Sequence, residues 1–223
     1  MESKHHTSVE PREEPLESVI LRKQKYFMLK RFLDIILSLF GLIVLLPLFF
    51  LLALLIKIES PKGSPFFGQI RVGKGEREFK MFKFRSMHVD AEKRLDELLP
   101  LNEVEGAMFK LKNDPRVTKL GGFMRKLSLD ELPQLLNVLL GDMSLIGPRP
   151  PLPREVMMYT EHDKQRFLVQ SGCTGLWQVS GRNYLSFAQM VELDLEYIRT
   201  ISLKKDIKIF FQTFRVIIEA DAH

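Results

Sequence analysis

The stretch that decides the fold is Phe32–Ile56, FLDIILSLFGLIVLLPLFFLLALLI. Roughly 20 apolar residues suffice to cross a bilayer, so this run reads as a membrane segment. A helix buried in a protein core is the competing reading. Pro47 removes a backbone donor in mid-run and predicts a kink. Asp34 stands near the start, where it either stays at the interface or pairs with Lys30 or Arg31. Both flanks are cationic: Arg22, Lys23, Lys25, Lys30 and Arg31 before, Lys57, Lys62, Arg71 and Lys74 after. Basic flanks favour the cytosol, and a straight span would leave one of them outside. A re-entrant helix hairpin that enters, breaks at Pro47 and returns keeps both inside.

From that run the chain divides into a mobile N-terminal arm (1–29), the membrane element (30–60) and a cytosolic domain (61–223). The arm is polar, with Pro11 and Pro15, and does not read as a cleavable signal peptide. The 223 residues carry a net charge of +5 and a sequence pI of about 9.3, which allows anionic lipid, nucleic acid or a phosphorylated ligand. Cys173 is the only cysteine, so no intrachain disulfide can form. The absence of a GxxxxGK[ST] motif disfavours a P-loop NTPase. Nucleic acid is disfavoured too, because the basic residues accompany a membrane run and lack an aromatic stacking platform.

The expected fold class is α+β and mostly helical, with a small β element. Pro61–Gly75 reads as a loop, rich in Gly, Pro and Ser. Phe79–Arg85 alternates apolar and basic residues, which predicts a short strand with one cationic face. Ala91–Leu99 reads as a polar helix, Met108–Lys112 as a short strand, and Val117–Leu127 as a helix interrupted at Gly121-Gly122. Gly141 suits the C-terminal cap of a helix over Leu132–Leu140. Ser186 and Gln189 have capping-box spacing before a helix that runs to about Arg199. The last helix gathers Ile207, Phe210, Phe211, Phe214, Ile217 and Ile218 on one face, so it either lies in a membrane interface or packs on the domain. Thr174–Asn183 reads as a substrate-facing lid through Trp177, Gln178 and Arg182, or as a wide turn anchored by Trp177.

The chemistry concentrates in Ser128-Leu129-Asp130-Glu131-Leu132-Pro133 and Gly147-Pro148-Arg149-Pro150. Ser128 and Glu131 have the spacing of a capping box, which places Asp130 in a first helical turn where an ionised carboxylate is favoured. Pro133 leaves Asp130 open as an alternative N-cap. Pro148 and Pro150 hold Arg149 extended. A carboxylate beside a preset arginine suits phosphate chemistry, one attacking or binding metal and the other clamping oxyanions.

With Lys30-Arg31 and Asp34, Phe82-Lys-Phe-Arg-Ser-Met87, Ser128–Gln134, Gly141-Asp-Met-Ser144, Gly147–Pro150 and Thr174–Arg182 in this order, the chain resembles the bacterial sugar transferases, or monotopic phosphoglycosyl transferases. The resemblance runs from about Lys30 to the C-terminus. It implies transfer of a sugar 1-phosphate from a UDP-sugar to undecaprenyl phosphate at the cytosolic face of the inner membrane, both termini cytosolic. It implies Asp130 as nucleophile, Glu131 as its partner, Mg²⁺ held by both, and Arg149, Arg125 and Arg85 as phosphate contacts. Pro47 becomes the break of a re-entrant helix, and residues 61–223 a catalytic domain. A homodimer in the membrane plane and a plain hexose, galactose or glucose, are further expectations. Leu46 stands where some members have serine, and Ser171-Gly172 where Pro-Gly is common. A lipid-phosphate phosphatase and a non-catalytic export module are the competing functions.

Overall fold

The structure is a computed structural model that describes residues 14–103, 109, 111–181 and 185–219. Residues 1–13 of the expected arm, Met108 and Lys110 of the strand expected at Met108–Lys112, and Arg182 lie outside the described residues; Phe109, Leu111 and Lys112 are described and form no strand. The rest of the arm is helical. α1 (Leu16–Arg22) buries Leu16 and Val19 on one helical face, and Leu16 joins the main core with Ile20 packed against it.

The apolar run forms α2 (Gln24–Val44) and α3 (Leu46–Glu59), bent by 59° at Leu45. The bend is open, not a closed antiparallel hairpin. No single described helix is long and apolar enough to cross a membrane. Pro47 sits in the first turn of α3, where its missing N–H has no helical partner to lose, so it starts a helix instead of kinking one. Outer residues such as Phe40, Ile43, Leu46 and Phe50 are exposed. Inner residues Leu52 and Ile56 are buried with Phe84 and Met124. Full burial of such side chains is worth about 1.5–3 kcal/mol each, a gain the outer face does not draw from this chain.

Downstream, β1 (Phe66–Val72) pairs antiparallel with β2 (Glu78–Phe84), from Phe66↔Phe84 to Val72↔Glu78. The strand in Phe79–Arg85 is present. The middle of the segment expected as a loop, Phe66–Val72, is its partner, hidden by the Pro and Gly residues at its edges. α4 (Leu95–Leu98) is shorter than the helix expected over Ala91–Leu99. α5 (Lys119–Lys126) runs unbroken through both glycines, capped by Thr118. A Cβ on Gly121 would come within 1.9 Å of the Ser86 carbonyl oxygen, so that glycine serves a close approach, not a break. α6 (Gln134–Leu140) ends at Gly141 with φ 97°, as expected.

β3 (Ser144–Ile146) and β4 (Gly172–Thr174) pair in parallel, an element the sequence reading lacks. Between them lie the single turns α7 (Pro153–Val156) and α8 (Glu161–Lys164). α9 (Leu176–Val179) leads to α10 (Phe187–Arg199), which carries the expected Ser186–Gln189 capping box. α11 (Leu203–Glu219) turns Asp206 and Ile209 inward and leaves Ile207, Phe211, Phe214 and Ile218 exposed.

The main core joins Ile146, Val191, Leu195, Ile198, Ile201 and Ile209. Beside it, Arg166 and Asp194 form a buried ion pair that ties the turn Gln165–Leu168 to α10. Removing one partner of such a pair strands a charge, whereas apolar replacement of both does not. Arg166→Met is expected to cost about 3–5 kcal/mol. Arg166→Met/Asp194→Leu should recover part of that loss in thermal unfolding in detergent. A double variant less stable than the single would refute the reading.

Candidate active site

Ser128 opens the site in the left-handed region, φ 55°, and makes no capping bond. The expected capping box is therefore absent. Asp130 and Glu131 lie in a 3₁₀ turn, Leu129–Glu131, ahead of α6, because the Glu131 side chain is taken by cations instead. Glu131 Oε1 accepts from Lys83 Nζ at 2.8 Å and from Arg149 Nη2 at 2.9 Å. Burial alone would raise the Glu131 carboxyl, but Arg149 and Lys83 outweigh it and hold it well below the ordinary range.

Asp130 is the contrast. It is buried, yet among the described residues no hydrogen bond or ion pair reaches its carboxylate. Burial pushes its carboxyl above the ordinary range; Lys83 opposes this and Glu131 adds to it. Its neighbours Leu129 and Leu132 enter the apolar cluster of Leu48, Phe49 and Leu52, which places the pair beside the start of α3.

Arg149 is preset by backbone contacts on both sides. The Gly147 N–H donates to the Thr174 carbonyl at 2.9 Å, and the Gly172 N–H to the Pro148 carbonyl at 2.9 Å. Arg71 Nη1 donates to the Pro150 carbonyl at 2.9 Å, and the Val72 N–H to the Pro151 carbonyl at 3.0 Å. Arg125 donates from Nε to Ser86 Oγ at 2.9 Å and lies within electrostatic reach of Asp130.

Three expected site residues are placed differently. Arg85 donates to the Ser64 carbonyl at 2.7 Å and stacks over Phe67, because β2 ends at Phe84 and the next side chain turns toward the preceding loop. It bonds neither carboxylate. Trp177 is buried, a position that suits the anchor of a turn. Gln178 donates to the Cys173 carbonyl at 3.5 Å, within the same turn. In the helix base, Lys30 pairs with Asp206 at 2.8 Å and Arg31 donates to the Val138 and Leu139 carbonyls at the end of α6. Asp34 pairs with neither; it accepts from the Leu145 N–H at 3.1 Å.

Lys83 and Arg71 are the residues the sequence reading missed. Lys83 lies on the cationic face of a strand that was foreseen, and so was findable. Arg71 lies on the strand taken for a loop. For a metal, no group of three His, Cys, Asp or Glu comes together among the described residues. Mg²⁺ is commonly held by one or two carboxylates plus phosphate oxygens. Asp130 is free, and Glu131 Oε2 receives only a 3.4 Å contact from Arg149, so both carboxylates keep oxygens that could ligate an ion whose other ligands come from outside the protein.

Fold and site thus define an α+β chain with a cation-ringed carboxylate pair beside a bent apolar helix pair. The chain belongs to the bacterial sugar transferase family, whose model matches residues 25–220. It is 46% identical over 199 residues to galactosyl transferase CpsE of Streptococcus agalactiae, covering 88% of this chain and 43% of that protein. It is 44% identical to the UDP-galactose-lipid carrier transferase of Erwinia amylovora, covering 90% and 43%. With exopolysaccharide production protein ExoY of Rhizobium meliloti the identity is 43%, covering 83% and 84%. The chain spans less than half the length of the first two relatives.

Lys83→Met removes one of the cations that depress Glu131. The Glu131 carboxyl should then titrate at higher pH than in the parent, followed by the ¹³C resonance of labelled glutamate. An unmoved titration would mean that Arg149 alone holds it.

Proposed function

We propose that this chain transfers a sugar 1-phosphate from a UDP-sugar to undecaprenyl phosphate, through a covalent intermediate on Asp130. The observation that carries the reading is the asymmetry of the pair: Glu131 is held through Oε1 by Lys83 and Arg149, while Asp130 is desolvated and unpaired. A carboxylate without hydrogen-bond partners keeps its lone pairs for attack. Relatives at 42% identity named undecaprenyl-phosphate galactose phosphotransferase (Salmonella typhimurium) and undecaprenyl-phosphate glucose phosphotransferase (Komagataeibacter xylinus) support the substrate classes and a plain hexose.

In the proposed reaction an Asp130 oxygen attacks the sugar-bearing phosphorus. The bond from that phosphorus to the bridging oxygen breaks, and UMP leaves with the oxygen. An oxygen of the lipid phosphate then attacks the same phosphorus, breaks its bond to Asp130, and restores the carboxylate. Arg149 and Lys83 face the phosphoryl oxygens with charge already oriented, so little reorganisation is needed. Glu131 keeps both cations in place. Asp130 and Glu131 would hold Mg²⁺, which when bound neutralises diphosphate charge.

The exposed outer faces of α2, α3 and α11 support seating in one leaflet, with both basic flanks on the cytosolic side. A lipid phosphate arriving in the membrane plane would then reach the carboxylates beside the start of α3.

Incubation with a UDP-hexose and no lipid should add a hexose phosphate mass to the Asp130 peptide. UMP should continue to appear only when undecaprenyl phosphate is present. Full turnover by Asp130→Asn would exclude the covalent route, and sustained release without lipid would point to a phosphatase. For topology, single cysteines replacing the exposed Glu17 and Lys62 in a Cys173→Ser background should both resist an impermeant thiol reagent in intact cells and react after lysis. Labelling of one site alone from outside would show a conventional span.

A further inference from the structure

Asn137 lies in α6 downstream of Glu131 and is 0% exposed. Its side-chain amide is fully used. Oδ1 accepts from the Phe82 N–H at 2.8 Å. Nδ2 donates to the Lys80 carbonyl at 2.8 Å and to Asp142 Oδ2 at 3.1 Å. Lys80 and Phe82 belong to β2, and these bonds lie on the edge of β2 that β1 does not cover. A carboxamide presents a donor beside an acceptor, as a peptide group does, so Asn137 takes the place of a neighbouring strand on that edge.

The next residue along β2 is Lys83, whose ammonium meets Glu131 at 2.8 Å. Glu131 and Asn137 belong to one continuous segment, joined through Leu132, Pro133 and the first turn of α6. The Asn137 amide therefore clamps the strand that carries the cation to the segment that carries the carboxylates. A slide of the strand by one residue would break both amide–strand bonds and turn Lys83 to the other face. Aspartate at this position would keep the bond from Phe82 and lose the one to Lys80; an aliphatic residue would lose both.

We infer that Asn137 is a positioning residue of the site: its amide sets the register of β2 and so places Lys83 on Glu131. The inference rests on the proposed transfer activity, and it predicts a coupling that general packing would not produce.

The test is a double-mutant cycle on the full chain in nanodiscs, read as UMP release from UDP-hexoses with undecaprenyl phosphate. The parent, Asn137→Ser, Lys83→Gln and the double variant are compared. Asn137→Ser should lower kcat about 10-fold in the parent and by less than about 2-fold once Lys83 is absent, the non-additivity typical of residues in one network. Equal losses in both backgrounds would mark a general packing role and overturn the inference, as would a fully active Asn137→Ser. If Asn137→Ser does not purify folded, Asn137→Asp keeps the volume and the acceptor while losing the donor, and enters the same cycle. A parent that releases no UMP from any UDP-hexose would instead refute the proposed activity, and that result is read before any variant is compared.

Discussion

Glu131 binds Lys83 from the β-hairpin and Arg149 from the Gly147–Pro150 segment, and so brings three remote parts of the chain to one point. Such half-buried ion pairs add little net stability, since desolvation offsets much of the attraction. Their effect here is on geometry. Arg149 is already fixed by backbone bonds to β4 and by Arg71 on β1, so its guanidinium meets Glu131 from a rigid support. Lys83 comes from a strand whose outer edge is clamped by Asn137. Each charge is thus set by backbone that is itself hydrogen-bonded.

The bent apolar pair supplies the other constraint. α6 lies along α2: Arg31 caps its last carbonyls, and a Cβ on Gly41 would come within 3.2 Å of Leu135. α5 and the turn around Asp130 lie along α3 through Met124, Leu129 and Leu132. The carboxylates therefore sit between the two arms, near the bend. The raised Asp130 carboxyl follows from that placement, because the leucines on either side of it are drawn into the cluster around Leu52 and take the aspartate out of water.

Much of this was legible in the sequence where a single local pattern governs. The apolar run, the Ser186 cap, the Gly141 stop and the alternation in Phe79–Arg85 each report one element's own periodicity or chemistry. The failures come where a partner decides. Phe66–Val72 is a strand because β2 pairs with it, and its flanking Pro and Gly residues masked that. Gly121 looks like a helix breaker but meets the Ser86 backbone, a contact no local pattern reveals. Ser128 and Glu131 have the spacing of a cap, yet Glu131 is drawn away by cations distant in the chain. Arg85 and Lys83 lie on the same strand face by alternation, yet only Lys83 reaches Glu131. The end of β2 at Phe84 separates them, and that end is set by pairing with Phe66.

The charges also explain how an anion could enter without dismantling the site. Arg149 directs two N–H groups and Lys83 one at Glu131, and both cations carry further donors. A phosphate can take those donors while Glu131 keeps its own. Arg71 and Arg125 add positive charge around the same two carboxylates. The cluster is therefore electropositive before a ligand arrives, and a diphosphate would complete its balance. In the proposed transfer, repulsion between that ligand and Asp130 opposes attack, and the surrounding cations are placed to offset it. Glu131 thus acts through the cations it holds: it keeps Lys83 and Arg149 in place, which under the proposed transfer leaves Asp130 as the carboxylate that attacks.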